Sequence, residues 1–239
     1  MPSSSRIRRP PFVSFSGIDG AGKSTQIQTL RAMAEAAGLR VRVVTFWDDV
    51  ATLTRFREAT GHAIFRGDKG VGRPEAPINR RDKNIRSRRM AAVRIALYLL
   101  DSVSLRRVVK KALKSDADLI IFDRYAYDEL ANLELRNPAV RAYARFIMSI
   151  VPRPDISYVL DAEPVQARAR KPEYPVEFLH TSRASYLALS RLFGGITVIP
   201  ALSVEEVEYE VLRHASMALC FENGRQTHSA LNNEHKRCA

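Results

Sequence analysis

Gly17, Gly22, Lys23 and Ser24 stand at the spacing G-x-x-x-x-G-K-[ST] within FSGIDGAGKSTQ, residues 15–26, and that spacing is built for one kind of chemistry. Glycines let a loop curl until successive backbone N–H groups point inward at phosphate oxygens, and a helix that follows adds the positive end of its dipole. A lysine here reaches the β and γ phosphates of a nucleoside triphosphate, and the serine hydroxyl holds Mg²⁺. The triphosphate loop is therefore Gly17, Ile18, Asp19, Gly20, Ala21 and Gly22, with Lys23, Ser24 and Thr25 opening the helix. The flanks agree, because Pro11 to Ser16 (PFVSFS) reads as a short strand, and the chain from Ser24 reads as a helix ended by Gly38. A glycine turn that binds nothing is the competing reading, and this strand–loop–helix context argues against it.

A second motif, Asp123-Arg124-Tyr125, directly follows the continuous apolar strand Leu119-Ile-Ile-Phe122. An acid at such a strand end, beside a phosphate loop, suits holding Mg²⁺ directly or through water. Arg124 next to it can clamp a second phosphate with the forked geometry of guanidinium. An Asp-Arg pair that merely ends a strand at the surface is the alternative.

These residues need a frame to position them, and strand and helix signals alternate along the whole chain. Val41 to Phe46 is a second strand, followed by a helical stretch near Ala51 to Glu58 and a Gly/Pro-rich loop over residues 67–77. A long helix runs from about Arg86 to Leu113, and its segment AAVRIALYLL is apolar on most sides, which predicts burial against the sheet or a partner. Ser157 to Leu160 and Ile196 to Ile199 are two more strands, separated by a polar, basic region over Arg168 to Tyr186 and a helix ending near Leu192. Ser203 opens a last helix with Glu206 three residues on, a capping box. The pattern is α/β, one doubly wound parallel sheet of P-loop NTPase type over residues 1–222, with its site at the strand carboxyl ends and a peripheral tail over 223–239.

Composition narrows the class. Two cysteines, Cys220 and Cys238, exclude a disulfide framework, and the five histidines show no metal-ligand spacing. With no apolar run near 18 residues and no apolar core behind the N-terminal charges, no membrane span or signal peptide is read, and the expected location is cytoplasmic. The net charge of +12 is uneven: residues 66–94 hold ten Lys or Arg against three acids. That field suits concentrating phosphorylated small molecules or drawing in nucleic acid; no aromatic stacking platform, helix-turn-helix or zinc finger accompanies it, so nucleic acid is the weaker reading.

The motifs resemble the thymidylate kinase family of nucleoside monophosphate kinases over nearly the full length. Residues 15–26 are similar to the family's F-x-G-I-D-G-x-G-K-[ST]-T-Q, Asp123-Arg124-Tyr125 to its D-R-Y, Pro154 to Asp161 to its P-D-x-x-x-x-L-D, and Ser203 to Val207 to its S-V-E-E-V. The resemblance implies a five-stranded parallel sheet and transfer of the ATP γ-phosphoryl to a nucleoside monophosphate with Mg²⁺. It implies a lid near residues 165–183, whose ARARKP stretch supplies Arg168 or Arg170 to the transition state because the loop itself carries no Arg. On the acceptor side it points to Asp101, Arg124 and Tyr125, while Asp48 or Asp49 can accept a hydrogen bond from a sugar hydroxyl. It also implies a homodimer through helices on the side of the long helix. Where the family shows an Arg after the helix Asp, a Ser three residues beyond D-R-Y and a Tyr-Gln pair, this chain has Ser102, Asp128, Asn132 and Leu133. Either thymidylate is a poor acceptor or its pocket is rebuilt from elsewhere. The rivals are a same-fold kinase for another small phosphate or hydroxyl compound, a GTPase switch (whose N-K-x-D has only Asn79-Arg-Arg-Asp82 as a match), and a nucleic-acid-binding protein.

Overall fold

In the computed structural model, described over residues 9–50 and 88–219, five parallel strands form one sheet in the order β2-β3-β1-β4-β5. The strands are β1 (Phe12–Ser16), β2 (Val41–Thr45), β3 (Leu119–Asp123), β4 (Ile156–Leu160) and β5 (Ile196–Ile199). The helices are α1 (Lys23–Ala36), α2 (Arg88–Ala112), α3 (Ala126–Leu130), α4 (Pro138–Ile150), α5 (Pro164–Arg170), α6 (Val176–Phe193) and α7 (Val204–Leu219). β1 and β4 are buried along their whole length, as parallel strands covered on both faces must be.

The handedness rule for parallel crossovers fixes the layers. The chain leaves β1 toward β2 in one direction but runs β2→β3, β3→β4 and β4→β5 in the other, so right-handed crossovers put α1 on one face and α2, α4 and α6 on the opposite face. α7 returns to pack beside α1, and the buried Tyr158 hydroxyl ties it to β4 by donating to Val211 O (3.3 Å) and meeting His214 Nδ1 at 3.1 Å. β1 and β3 are neighbours whose following segments depart over opposite faces, which opens a crevice at their carboxyl ends. The phosphate loop and Asp123-Arg124 both fall there.

Most expected elements are present, with shifts that have local causes. β5 has the expected bounds, and α7 carries its capping box, with the Glu206 carboxylate accepting from Ser203 N at 3.0 Å and Glu206 N donating to Ser203 Oγ at 3.3 Å. β2 stops at Thr45 rather than Phe46, because Phe46–Val50 turns into one π-helical turn with Phe46 and Val50 buried and Phe46 edge-on to Trp47. The α4 helix was not anticipated, although Asn137-Pro138 is a start signal: the Asn137 side chain accepts from Ala139 N at 2.9 Å, and proline sits in the first turn. On α2, Tyr98, Asp101, Leu105 and Val109 face the interior and Leu97 also packs against it, while Ile95, Leu99 and Leu100 stay at the surface. The stretch Ala51 to Glu58, the loop at 67–77, Asn79 to Asp82 and the 223–239 tail lie outside the described residues.

α5 is seated directly on the phosphate loop. Gly20 has φ +83, and a Cβ there would stand 2.1 Å from the Ala167 backbone oxygen, so only glycine allows the approach. Gly20→Ala should push α5 off the loop and destabilise the protein by about 1–3 kcal/mol, a fall in Tm of several degrees by calorimetry. Gly38→Ala, at φ +80 with open space around it, should lose less.

Candidate active site

The loop that leaves β1 is held by its own lysine. Lys23 is buried, and its Nζ donates to Gly17 O (2.8 Å) and Ile18 O (2.9 Å), closing the loop into a ring. Gly17 (φ +143) lies against Leu160, whose carbonyl oxygen would be 2.6 Å from an added Cβ, and Gly22 (φ +87) turns the chain into α1. The first helical hydrogen bond runs from Gln26 N to Gly22 O, so the N–H groups of Lys23, Ser24 and Thr25 precede the ladder and face outward as an anion-binding end. The Ser24 and Thr25 side chains are exposed there. Burial, with the repulsion of Arg124 behind it, pushes the Lys23 ammonium down to about 8, against the pull of Asp19, Asp128 and Asp123.

Across the crevice, β3 ends on Asp123, paired in register with Phe15. Burial raises the Asp123 carboxyl above its ordinary value, although Arg124 and Lys23 pull it back. Arg124 then takes φ +72, a left-handed conformation costly for a residue with a Cβ, of order 1–3 kcal/mol. The surroundings over-determine it. Its N–H donates to Phe15 O at 2.9 Å, Nη2 forms a close ion pair with Asp19 Oδ1, and Nη1 donates to Asp128 Oδ1 at 3.1 Å. Burial alone would lower this guanidinium's pKa, but the two carboxylates outweigh it and hold it above its ordinary value.

Asp128, which the sequence showed only as a departure from the family's serine, is the centre of this network. Its Oδ2 accepts from Ser16 Oγ (2.6 Å) and Tyr125 N (3.0 Å), and its Oδ1 accepts from Arg124 Nη1 and from the Tyr186 hydroxyl (2.9 Å). The spacing of four from Arg124 into a helix start was the available signal. Tyr125, expected on the acceptor side, points the other way. Its ring is fully buried with Phe12, Phe122 and Tyr127, and its hydroxyl donates to Pro152 O, because the backbone turn that exposes Arg124 sends the next side chain into the core.

The lid stretch brings a different cation to the loop than the arginines singled out. Arg168 turns back on its own segment to donate to Tyr174 O, and Arg170 is exposed at the end of α5. Lys171 is the residue beside the loop, its Nζ 3.8 Å from Asp19 Oδ1 and 3.4 Å from Glu173 Oε1. Arg183 on α6 anchors the base of this segment through a fork on Asp161 (2.7 and 2.8 Å) and one bond to Glu163 at 2.8 Å. With its partners about twenty residues away, no local pattern announced it.

A cleft opens between the loop at Gly17 to Asp19, Arg124, Asp128 and the α6 residues Phe178 and Tyr186. None of the other acceptor candidates lines it. Asp48 and Asp49 are exposed in the π-helical turn, where Asp49 accepts from Thr45 N at 2.8 Å. Asp101 is fully buried on α2, and Ser102 beside it donates back to Tyr98 O at 2.6 Å.

Comparison with known proteins finds relatives of one kind. A probable thymidylate kinase of Pyrococcus abyssi is 29% identical over 213 residues, 84% of this chain and 93% of that protein. A thymidylate kinase of Bifidobacterium longum is 29% identical over 164 residues, 66% of this chain and 70% of that protein. The chain is thus similar to thymidylate kinases over most of its length. Solved thymidylate kinases share the fold at 15% identity: that of Candida albicans with a TM-score of 0.60 over 89% of this chain and 94% of its own, and that of Ehrlichia chaffeensis with 0.55 over 87% and 99%. No family model matches the chain.

Lys23 generates a pH signature. Its pKa in the ligand-free fold lies near 8, below its ordinary 10.5, so the unfolded chain binds more protons between those values and stability rises with pH across that window. A bound triphosphate favours the charged lysine. Affinity for a nucleoside triphosphate should therefore fall as pH rises above about 8, approaching tenfold per pH unit, and titration calorimetry on Lys23→Met should show weak binding without that slope.

Proposed function

We propose that the protein is an ATP- and Mg²⁺-dependent nucleoside monophosphate kinase. The observation that carries this reading is one crevice that brings the loop of Lys23, with its unbonded helix-start N–H groups, beside Arg124, 12% exposed and pinned from both sides. The family favours this over a same-fold kinase for an unrelated acceptor. A GTPase switch has no support from the described strand ends, and its Asn79 to Asp82 match lies outside them.

An ionised oxygen of the acceptor phosphate attacks the γ phosphorus, the bond from that phosphorus to the β-bridging oxygen breaks, and ADP leaves. No general base is needed, since the attacking oxygen carries no proton, and the protein's work is positioning and charge neutralisation. Arg124 holds the acceptor phosphate. Lys23 holds the β and γ oxygens. A cation of the 167–172 stretch covers the γ oxygens in the transition state; Arg168 and Arg170 are the family's choice, and Lys171, already beside Asp19, is the nearest. Ser24 and Asp123 would hold Mg²⁺: they offer a hydroxyl and a carboxylate, the all-oxygen donors a hard cation takes, and the ion supplies charge neutralisation across the phosphates.

The acceptor pocket differs from the family pattern at Ser102 and Asp128, and Ser102 is spent on its own helix. Buried polar groups discriminate by being left unpaired with the wrong ligand. A screen of nucleoside monophosphates with labelled ATP should find transfer with a flat acceptor preference, and Lys23→Ala should abolish it while keeping the fold. Normal turnover by Lys23→Ala sinks the kinase reading; a strong selectivity for thymidylate over uridylate and deoxycytidylate sinks the pocket reading.

We place the enzyme in the cytoplasm as a homodimer that binds nucleotides rather than nucleic acid, with the basic 66–94 segment gathering phosphorylated substrates. Among the described residues no helix is long and apolar enough to cross a membrane. Ile95, Leu99, Leu100 on α2 and Phe146 on α4 are exposed, which supports pairing on that side. Light scattering should give twice 26.9 kDa, and Leu100→Arg should give monomers; a monomer mass at all concentrations rules the dimer out.

A further inference from the structure

Resting on the kinase reading above, we propose that Asp128 is a positioning residue: together with Asp19 it sets the orientation and the charge of Arg124, and through it the binding of the acceptor's phosphate. Asp128 stands where the resembled family shows a serine. A serine offers one hydroxyl, whereas this carboxylate receives four donors from four places in the chain: the end of β1, the start of α3, Arg124 itself and α6. All its lone-pair directions are used, so it cannot rotate without breaking two bonds at once. The guanidinium is held at Nη1 by Asp128 and at Nη2 by Asp19, one carboxylate on each side.

Two consequences follow from that arrangement. The fork of Arg124 points into the cleft in one fixed direction before any ligand arrives, which removes the cost of ordering a long side chain at the moment of binding. Its charge is also shared with two carboxylates, so the acceptor phosphate is the third anionic group around one guanidinium and must match its remaining N–H directions. A neutral asparagine at 128 cannot take over in full: whichever way its amide is turned, the nitrogen confronts an obligate donor, Tyr125 N–H on one side or Arg124 Nη1 on the other.

The test is steady-state kinetics on Asp128→Asn, Arg124→Ala and the double variant, with ATP-analogue binding measured alongside. Misplacing a positioned group by about 1 Å costs on the order of a hundredfold, so Asp128→Asn should lower kcat/KM for the nucleoside monophosphate by about that factor, mainly through KM, with ATP-analogue affinity unchanged. In the Arg124→Ala background the same substitution should remove less than about threefold more, because Asp128 acts through Arg124. An equal loss in both backgrounds, a parallel loss of ATP-analogue affinity, or wild-type kinetics in Asp128→Asn overturns the proposal and leaves the kinase reading standing. A wild-type protein that transfers no phosphoryl group overturns both. Should Asp128→Asn not fold, Tyr186→Phe removes one donor from the same Oδ1; a raised acceptor KM at constant ATP-analogue affinity supports the role, and an unchanged KM overturns it.

Discussion

A guanidinium buried at the carboxyl end of a parallel sheet has to be paired, and the rest of this molecule is arranged around pairing Arg124. Leaving one such charge without its partner costs on the order of 3–5 kcal/mol, a large part of the 5–15 kcal/mol that keeps a domain folded. Asp19 comes from the phosphate loop after β1, Asp128 from the short helix after β3, and Tyr186 from α6 braces Asp128 from the far side. One cation therefore ties together the loop after β1, the segment after β3 and, through Asp128, α6. The left-handed backbone at Arg124 is tolerated because these contacts outnumber the alternatives open to it.

The sheet order supplies the place. β1 and β3 lie side by side while their continuing chains leave over opposite faces, so the crevice between them belongs to neither helix layer. Into it project a loop whose glycines permit the close approach of Leu160 and Ala167, and a strand end whose acid is desolvated by burial. The Arg183 fork on Asp161 and Glu163 fixes where α5 begins, and so where Lys171 comes to rest above Asp19.

What the sequence reveals of this depends on the range of the interaction. The phosphate loop is legible because its demands are local: glycines at positive φ, a lysine that reaches back five and six residues, and an unbonded helix start. The bounds of β5 and the Ser203–Glu206 box are legible for the same reason. Asp128 is not, because Ser16 and Tyr186 reach it from 112 and 58 residues away and the motif alone made it look like a lost serine. Nor is the burial of Tyr125, which follows from a backbone turn that no residue pattern announces. The three cations of the 167–172 stretch are visible, but which one meets the loop depends on α5 ending at Arg170.

The central claim is that the crevice aligns two phosphate sites so that the γ-phosphoryl group passes between nucleotides and not to water. ³¹P NMR of the protein with ATP, Mg²⁺ and an excess of a nucleoside monophosphate measures that partition directly. The account predicts that the γ-phosphate signal reappears as the β-phosphate of a nucleoside diphosphate, one for each ADP formed, with little inorganic phosphate. Inorganic phosphate as the sole product, at a rate the monophosphate does not change, would contradict it.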